Sequence, residues 1–265
     1  MDAVLESPLK LLAAIGYALP RLFAMFSMIP MLTQQALPGT LRTGFVGAIA
    51  LLLVPGLVDP AQQVEGAAAI VVILIKEVLL GMVIGLVMAI PLWAFEAMGA
   101  FVDNQRGASI AQIINPLTGH DSSPLGELFS QAAMTYLLAS GGMLILLKVA
   151  YSSYELWPVF ARLPRIDGDA AAVLLGQFDR LTRLAVLIGA PVLIAMFLAE
   201  MGLALISRFA PQMQVFFLAM GIKSAVAMFV LAVYAVTLFV YFGSEVLNLE
   251  LALQTVKKLF SGGPP

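Results

Sequence analysis

The sequence predicts an all-α integral membrane protein with about six apolar helical segments and an irregular central loop. Three observations lead there. Of the 265 residues, 61% are hydrophobic and only 11% charged, with a mean hydropathy of +0.99; a soluble domain carries about a quarter charged residues. The apolar residues gather into runs, several of them near the length of about 20 that a transmembrane helix needs. Between two such runs lies Val102 to Gly126, VDNQRGASIAQIINPLTGHDSSPLG, which is polar, rich in small residues and broken by Pro116 and Pro124. Irregular backbone of this kind is tolerated near a membrane only where it is buried in protein or lines a wet cavity.

The elements follow in order. Residues 9–31 are apolar but interrupted by Pro20-Arg21; the proline removes a helical hydrogen bond, and the arginine has to face protein, water or an interface. Residues 44–58 are apolar for only 15 positions and end near Pro55-Gly56, short for a span. Residues 68–95 are long enough, with Lys76-Glu77 inside them. Helical neighbours at i and i+1 point to different sides, so each is expected to pair elsewhere. Gly81-x-x-x-Gly85 permits close helix approach, although such spacings arise often by chance in so apolar a chain. After the central loop, Leu128–Leu147 reads as another span, with Gly141-Gly142 marking a close contact or a kink. The region 151–183 is the most charged, with interfacial aromatics at Tyr151, Tyr154 and Trp157 and Asp169 as an N-cap for a helix running into 184–206. A turn at Ser207–Gln214 joins that helix to the apolar run 215–243. If the turn centres on Pro211-Gln212, Glu200 and Lys223 sit at one depth on two antiparallel helices and neutralise each other. The tail Ser244–Phe260 repeats Leu249, Leu253, Val256 and Phe260 at helical spacing and reads as an amphipathic helix. With six spans, the excess of Lys and Arg puts both termini in the cytoplasm.

Several chemistries are excluded or weakened. Net charge is −2, so no basic field recruits nucleic acid. There is no cysteine and a single His120, which removes disulfides and thiolate chemistry and leaves no metal or cofactor to expect. The start of the chain lacks the basic region and cleavage site of a secretory signal, so the first apolar segment is expected to be retained. Asp103 and Glu127 flank the central loop without a fixed separation and read as solvated loop ends. His120-Asp121-Ser122-Ser123 holds the residue types of a hydrolase triad in one turn, where the geometry fails. No catalytic motif is present, and the expectation is a protein that is not an enzyme.

Two stretches carry a resemblance. Asp103-Asn104-Gln105-Arg106-Gly107-Ala-Ser-Ile110-Ala-Gln112, continuing through Asn115-Pro116, Thr118-Gly119 and Ser122-Ser123-Pro124-Leu125-Gly126, resembles the central motif of the T-type export-apparatus proteins of bacterial type III secretion injectisomes (the SctT family), which are similar to the flagellar FliR proteins. The second is Ser207-Arg208-Phe-Ala-Pro211-Gln-Met213 with Val215–Leu218 and Lys223. Gln214 and Gly221 depart from the pattern, where Asn and Pro are expected. The layout fits the family end to end, as one domain over 1–265.

The resemblance implies an inner-membrane export-gate subunit assembled with R-type and S-type subunits and the U-type switch protein. Its helices would pack as bent hairpins around a channel for unfolded secreted proteins, largely raised out of the bilayer. That packing would bury Arg21, Lys76 and Glu77. The central loop, 102–126, would project into the lumen as a plug. Within it Ile110 to Gly119 would be the plugging part: Ile113, Ile114 and Leu117 would seal against water, Gln112 and Asn115 would tie the loop down, and Pro116 would fix its shape. The plainer alternative has these residues only packing between subunits. A rival from another class is a secondary transporter, with Lys76, Glu77, Glu200 and Lys223 forming an ion or solute site; it predicts an internal repeat, and none is visible. A pure assembly scaffold differs from the gate only in whether the loop moves.

Overall fold

The computed structural model describes residues 8–30, 38–61, 64, 66–108, 123–161, 170–209, 215–248 and 254–256, and among them there is helix but no strand. Eight helices of eight residues or more follow one another: α1 Pro8–Ser27, α2 Gly39–Leu51, α3 Val54–Ala61, α4 Ala67–Arg106, α5 Pro124–Ala139, α6 Gly142–Leu156, α7 Ala170–Phe209 and α8 Val215–Leu247. The all-α reading stands. Four helices are long and apolar enough to cross a membrane, and there are six candidate spans if each of two bent pairs counts as one.

The bent pairs explain two features of the sequence. The short apolar run at 44–58 is α2 and α3, which meet at 77°. The expected single span Leu128–Leu147 is instead α5 and α6, bent by 79°. The break is at Gly141, whose φ of +77° suits a residue without a Cβ. Nothing lies within 4 Å of the Cβ it lacks, so this glycine makes a kink and not a close contact. By contrast, Pro20, Pro91 and Pro191 all lie inside continuous helices. Each forgoes one backbone hydrogen bond without ending its helix.

The irregular centre is smaller than its composition predicts. Helix α4 continues through Val102 to Arg106, and Pro124–Gly126 form the first turn of α5. Tertiary hydrogen bonds hold Asp103, a weak helix former, and Gln105 at this helix end. Residues 109–122, with Ile110, Gln112, Ile113, Ile114, Asn115, Pro116 and Leu117, lie outside the described residues, as do Asp169 and Pro211. In the tail, Ser244–Leu247 belong to α8 and not to a separate amphipathic helix; beyond them a turn at Gln254–Val256 is helical, and most of 249–260 is outside the described residues.

The chain packs as two units. The first comprises Met1–Ile90, Gly141–Gln177 and Leu247–Pro265. In it Ala14 of α1 meets Val54 and Val58 of α3, with Leu11, Ile15 and Leu57 around them. Helix α4 crosses α1 at very short range. A Cβ on Gly81 would stand 2.3 Å from the Arg21 carbonyl oxygen, and one on Gly85 would stand 2.5 Å from that of Met25. The glycine pair is therefore the α1–α4 contact itself. The second unit comprises Pro91–Ser140 and Phe178–Val246. Its centre is aromatic: Phe95 lies 4.3 Å from Phe242 between ring centroids, and Tyr136 stacks on Phe239 at 5.9 Å. Helix α7 buries Leu184, Ile188, Val192, Met196 and Leu203 at helical spacing, and α8 buries Lys223, Ala227, Leu231, Leu238, Phe242 and Val246. The opposite faces expose Ile194, Phe197, Leu198, Met201, Phe229, Val233, Val236 and Val240.

Gly81→Ala is expected to lower the stability of the detergent-solubilised protein by about 1–3 kcal/mol, because α1 and α4 have to part. Gly44→Ala, with open space around its added Cβ, is expected to leave the melting temperature unchanged or raise it. Equal melting temperatures for the two variants would contradict the close α1–α4 approach.

Candidate functional site

Two polar nodes sit in this apolar chain, one in each unit. The first gathers Arg21, Lys76 and Glu77, which are 0%, 3% and 0% exposed. Arg21 grips both oxygens of Glu77 with one edge of its guanidinium: Nε donates to Oε2 at 2.7 Å and Nη2 to Oε1 at 2.9 Å. Its remaining N–H groups reach the C-terminal end of α6. Nη1 donates to the Ser153 carbonyl at 2.8 Å, and Nη2 to that of Trp157 at 2.8 Å. The Tyr154 ring lies 4.2 Å from the guanidinium carbon, and its hydroxyl donates to the Ala18 carbonyl at 2.7 Å.

Lys76 serves the same helix end. Its ammonium donates to the carbonyls of Val159, of Pro158 at 3.3 Å and of Ala161 at 3.0 Å. It also stands 3.2 Å from Glu77 Oε1, so the expectation that these sequence neighbours do not pair is corrected. The long lysine stem curls around the helix to the carboxylate that Arg21 also holds. Helix α6 stops at Leu156, where Trp157 turns extended ahead of Pro158. The Ser153 carbonyl already accepts from the Trp157 amide at 3.0 Å; Arg21 adds a second donor there, and the carbonyls of 157–161 that Arg21 and Lys76 reach lie just past the helix, at the negative end of its dipole. The node carries two positive charges and one negative, and the exposed carbonyls offset the excess.

The second node is built on the central motif. Asp103 is 3% exposed, so its reading as a solvated loop end is overturned; Glu127 is exposed and accepts a hydrogen bond from Gln131 at 3.3 Å. Asp103 Oδ2 accepts from the Leu125 amide at 2.8 Å and from the Ser123 hydroxyl at 2.5 Å. Oδ1 accepts from Arg106 Nε at 2.7 Å. Ser123 caps α5 in turn, its Oγ accepting from the Gly126 amide at 2.9 Å, and Pro124 occupies the first helical position, where no N–H is needed. Gln105 Nε2 donates to the Leu193 carbonyl of α7 at 3.2 Å. Asn104 is exposed, and Gly107 ends α4 with φ +85°.

Lys223 Nζ stands 3.3 Å from Glu200 Oε2 on the neighbouring helices α8 and α7; the Glu200 side chain is 50% exposed and that of Lys223 11%. Arg208 is exposed in the last turn of α7. Sequence reasoning passed over Ser153 and the carbonyls of 157–161 as partners, and over the Arg180–Glu245 ion pair at 2.7 Å. Trp157-Pro158 was the available signal: it ends a helix in an apolar setting, so donors have to come from elsewhere. Among the described residues no group of His, Asp and Glu is arranged to hold a metal ion.

Removing one partner of a buried pair leaves the other uncompensated, at a cost of about 3–5 kcal/mol. Arg21→Met is therefore expected to cost about that much in unfolding of the detergent-solubilised chain. Adding Glu77→Met should recover part of the loss. A double variant no more stable than the single would show that Arg21 acts mainly through the α6 carbonyls.

Comparison with known proteins agrees with these features. Residues 12–249 match the family described as bacterial export proteins, family 1. The chain is 42% identical to Yop proteins translocation protein T of Yersinia pestis over 217 residues, covering 82% of this chain and 83% of that protein. It is 31% identical to the surface presentation of antigens protein SpaR of Shigella flexneri over 83% of this chain and 84% of the relative. It is 27% identical to the flagellar biosynthetic protein FliR of Bacillus subtilis over 91% of this chain and 92% of the relative. With nine-tenths of its length inside that match and its helices apolar enough to cross a membrane, the chain belongs to the bacterial export proteins, family 1.

Proposed function

We propose that this chain is a subunit of the export gate of a type III secretion system in the bacterial inner membrane. There it forms part of a channel for unfolded effector and needle proteins, beside R-type and S-type subunits and the U-type switch protein. The observation that carries the reading is the 42% identity to Yop proteins translocation protein T, which extends over four-fifths of both chains. The apolar faces of α7 and α8, exposed at Phe197, Leu198, Phe229 and Val233, support burial against neighbouring subunits or lipid. The bent pairs α2–α3 and α5–α6 suit helices that pack as hairpins in an assembly.

In this reading residues 1–265 act as one domain, and its mechanism is conformational and not catalytic. The segment from Ile110 to Gly119 is the plug. Ile113, Ile114 and Leu117 close the channel to water and ions, Gln112 and Asn115 hold the segment in place, and Pro116 restricts its backbone. The transporter reading loses support because its four residues are already paired: Lys76 meets Glu77 and Lys223 meets Glu200, and Lys76 also donates to the carbonyls of Pro158, Val159 and Ala161.

The test is ion leak across the membrane, measured with the whole gate expressed and residues 112–119 replaced by a shorter glycine linker. Leak is expected to rise well above that of the unmodified gate while the subunits still co-purify. Unchanged leak with intact co-purification would remove the plug and leave a scaffold.

A further inference from the structure

The central motif at the end of α4 is engaged with three different partners. Asp103 reaches α5, Gln105 reaches α7, and Arg106 braces Asp103 from the next turn, at 2.6 Å between Nη2 and Oδ1. The first turn of α5 has no free amide as a result. Pro124 has none to give, Leu125 donates to Asp103, Gly126 to the Ser123 hydroxyl and Glu127 to the Ser123 carbonyl. The two backbones also touch: a Cβ on Gly99 would stand 2.6 Å from the Gly126 amide nitrogen and from the Leu125 carbonyl. Water has no room at this crossing, so the Leu125 amide depends on the carboxylate beside it.

We infer that residues 103–107 anchor the exit of the chain from α4 to its re-entry at α5, and that Asp103 is the positioning residue of that anchor. One carboxylate joins both ends of the stretch between the helices. It is negative where the α5 dipole is positive, and beside the Ser123 cap it accepts from the Leu125 amide that Ser123 leaves over. Gln105 fixes the same turn of α4 to α7, so the exit point is held from two directions. Gly107 then turns the chain out of the helix. The inference rests on the proposed plug for its leak readout alone.

The test uses the full chain in the co-purified gate. In Asp103→Ala, hydrogen exchange at the Leu125 and Gly126 amides is expected to speed up at least tenfold, while amides around Arg21 and Glu77 keep their rates. Leak should rise toward that of the gate shortened at residues 112–119. Because the chain has no cysteine of its own, the D103C/S123C variant gives a second reading that does not depend on how well the alanine variant folds. Its two thiols are expected to join on oxidation in the assembled gate. Leak should be low when they are joined and high when they are reduced.

Unchanged exchange at Leu125 in Asp103→Ala, or thiols that do not join, would overturn the anchor. Equal leak in the joined and reduced forms would overturn its positioning role, provided that the shortened gate leaks. If the shortened gate does not leak, the plug fails by itself, and exchange at Leu125 decides the anchor.

Discussion

A backbone carbonyl or amide without a partner costs several kcal/mol in an apolar setting, and this chain interrupts its apolar helices several times. The buried charges stand at those interruptions. Arg21 meets the Ser153 carbonyl near the C-terminal end of α6, and Lys76 the carbonyls of the segment just past it; Asp103 meets an amide at the N-terminal end of α5. The signs follow the helix dipole in each case. Arg106 and Arg208 lie in the last turns of α4 and α7 in the same sense. Of the five charged residues buried among the described residues, Arg21, Lys76 and Asp103 bond to backbone, while Glu77 and Lys223 meet side chains of opposite charge.

Close packing makes this arrangement possible. Gly81 and Gly85 bring the Arg21 turn of α1 onto α4, so the guanidinium and the Glu77 carboxylate meet in full bidentate contact. Gly99 and Gly126 do the same for the two backbones beside Asp103. At both places the side chains that carry charge lie next to residues that carry none, because a Cβ there would hold the partners apart. The aromatic cluster of Phe95, Tyr136 and Phe242 fills the second unit where glycine gives way to bulk; a Cβ on Gly243 would run into the Tyr136 hydroxyl.

The helical class and the apolar runs were legible in the sequence because each depends on local composition; that Arg21, Lys76 and Glu77 would be buried followed from the resemblance, and the burial of Asp103 was missed. Partner identity was not legible. Nothing near Lys76 announces that its acceptors are carbonyls more than eighty residues away, and the i,i+1 rule concerns side-chain direction, not the reach of a lysine. Asp103 looked like a loop residue because Asn104 and Gly107 beside it are weak helix formers; its own partners come from the start of α5 and from Arg106. The bend between α5 and α6 was half legible. Gly141-Gly142 marked the place, but only the positive φ distinguishes a turn in the path from a tight contact. The family resemblance came from a long contiguous motif, whereas residues 109–122 owe their proposed role to that resemblance and not to local chemistry.

Helix α8 has 33 residues from Val215 to Leu247, which at 1.5 Å each is about 50 Å of apolar rod. The hydrocarbon layer is about 30 Å thick. To hide the whole rod in lipid it would have to lean by about 50°, past the range of up to about 40° that membrane helices adopt. Part of its length therefore needs polypeptide as its solvent. In the proposed export gate, neighbouring chains have to reach that excess before water, chaperones or proteases do. Matched synthesis of the partners then becomes a physical requirement of this one helix.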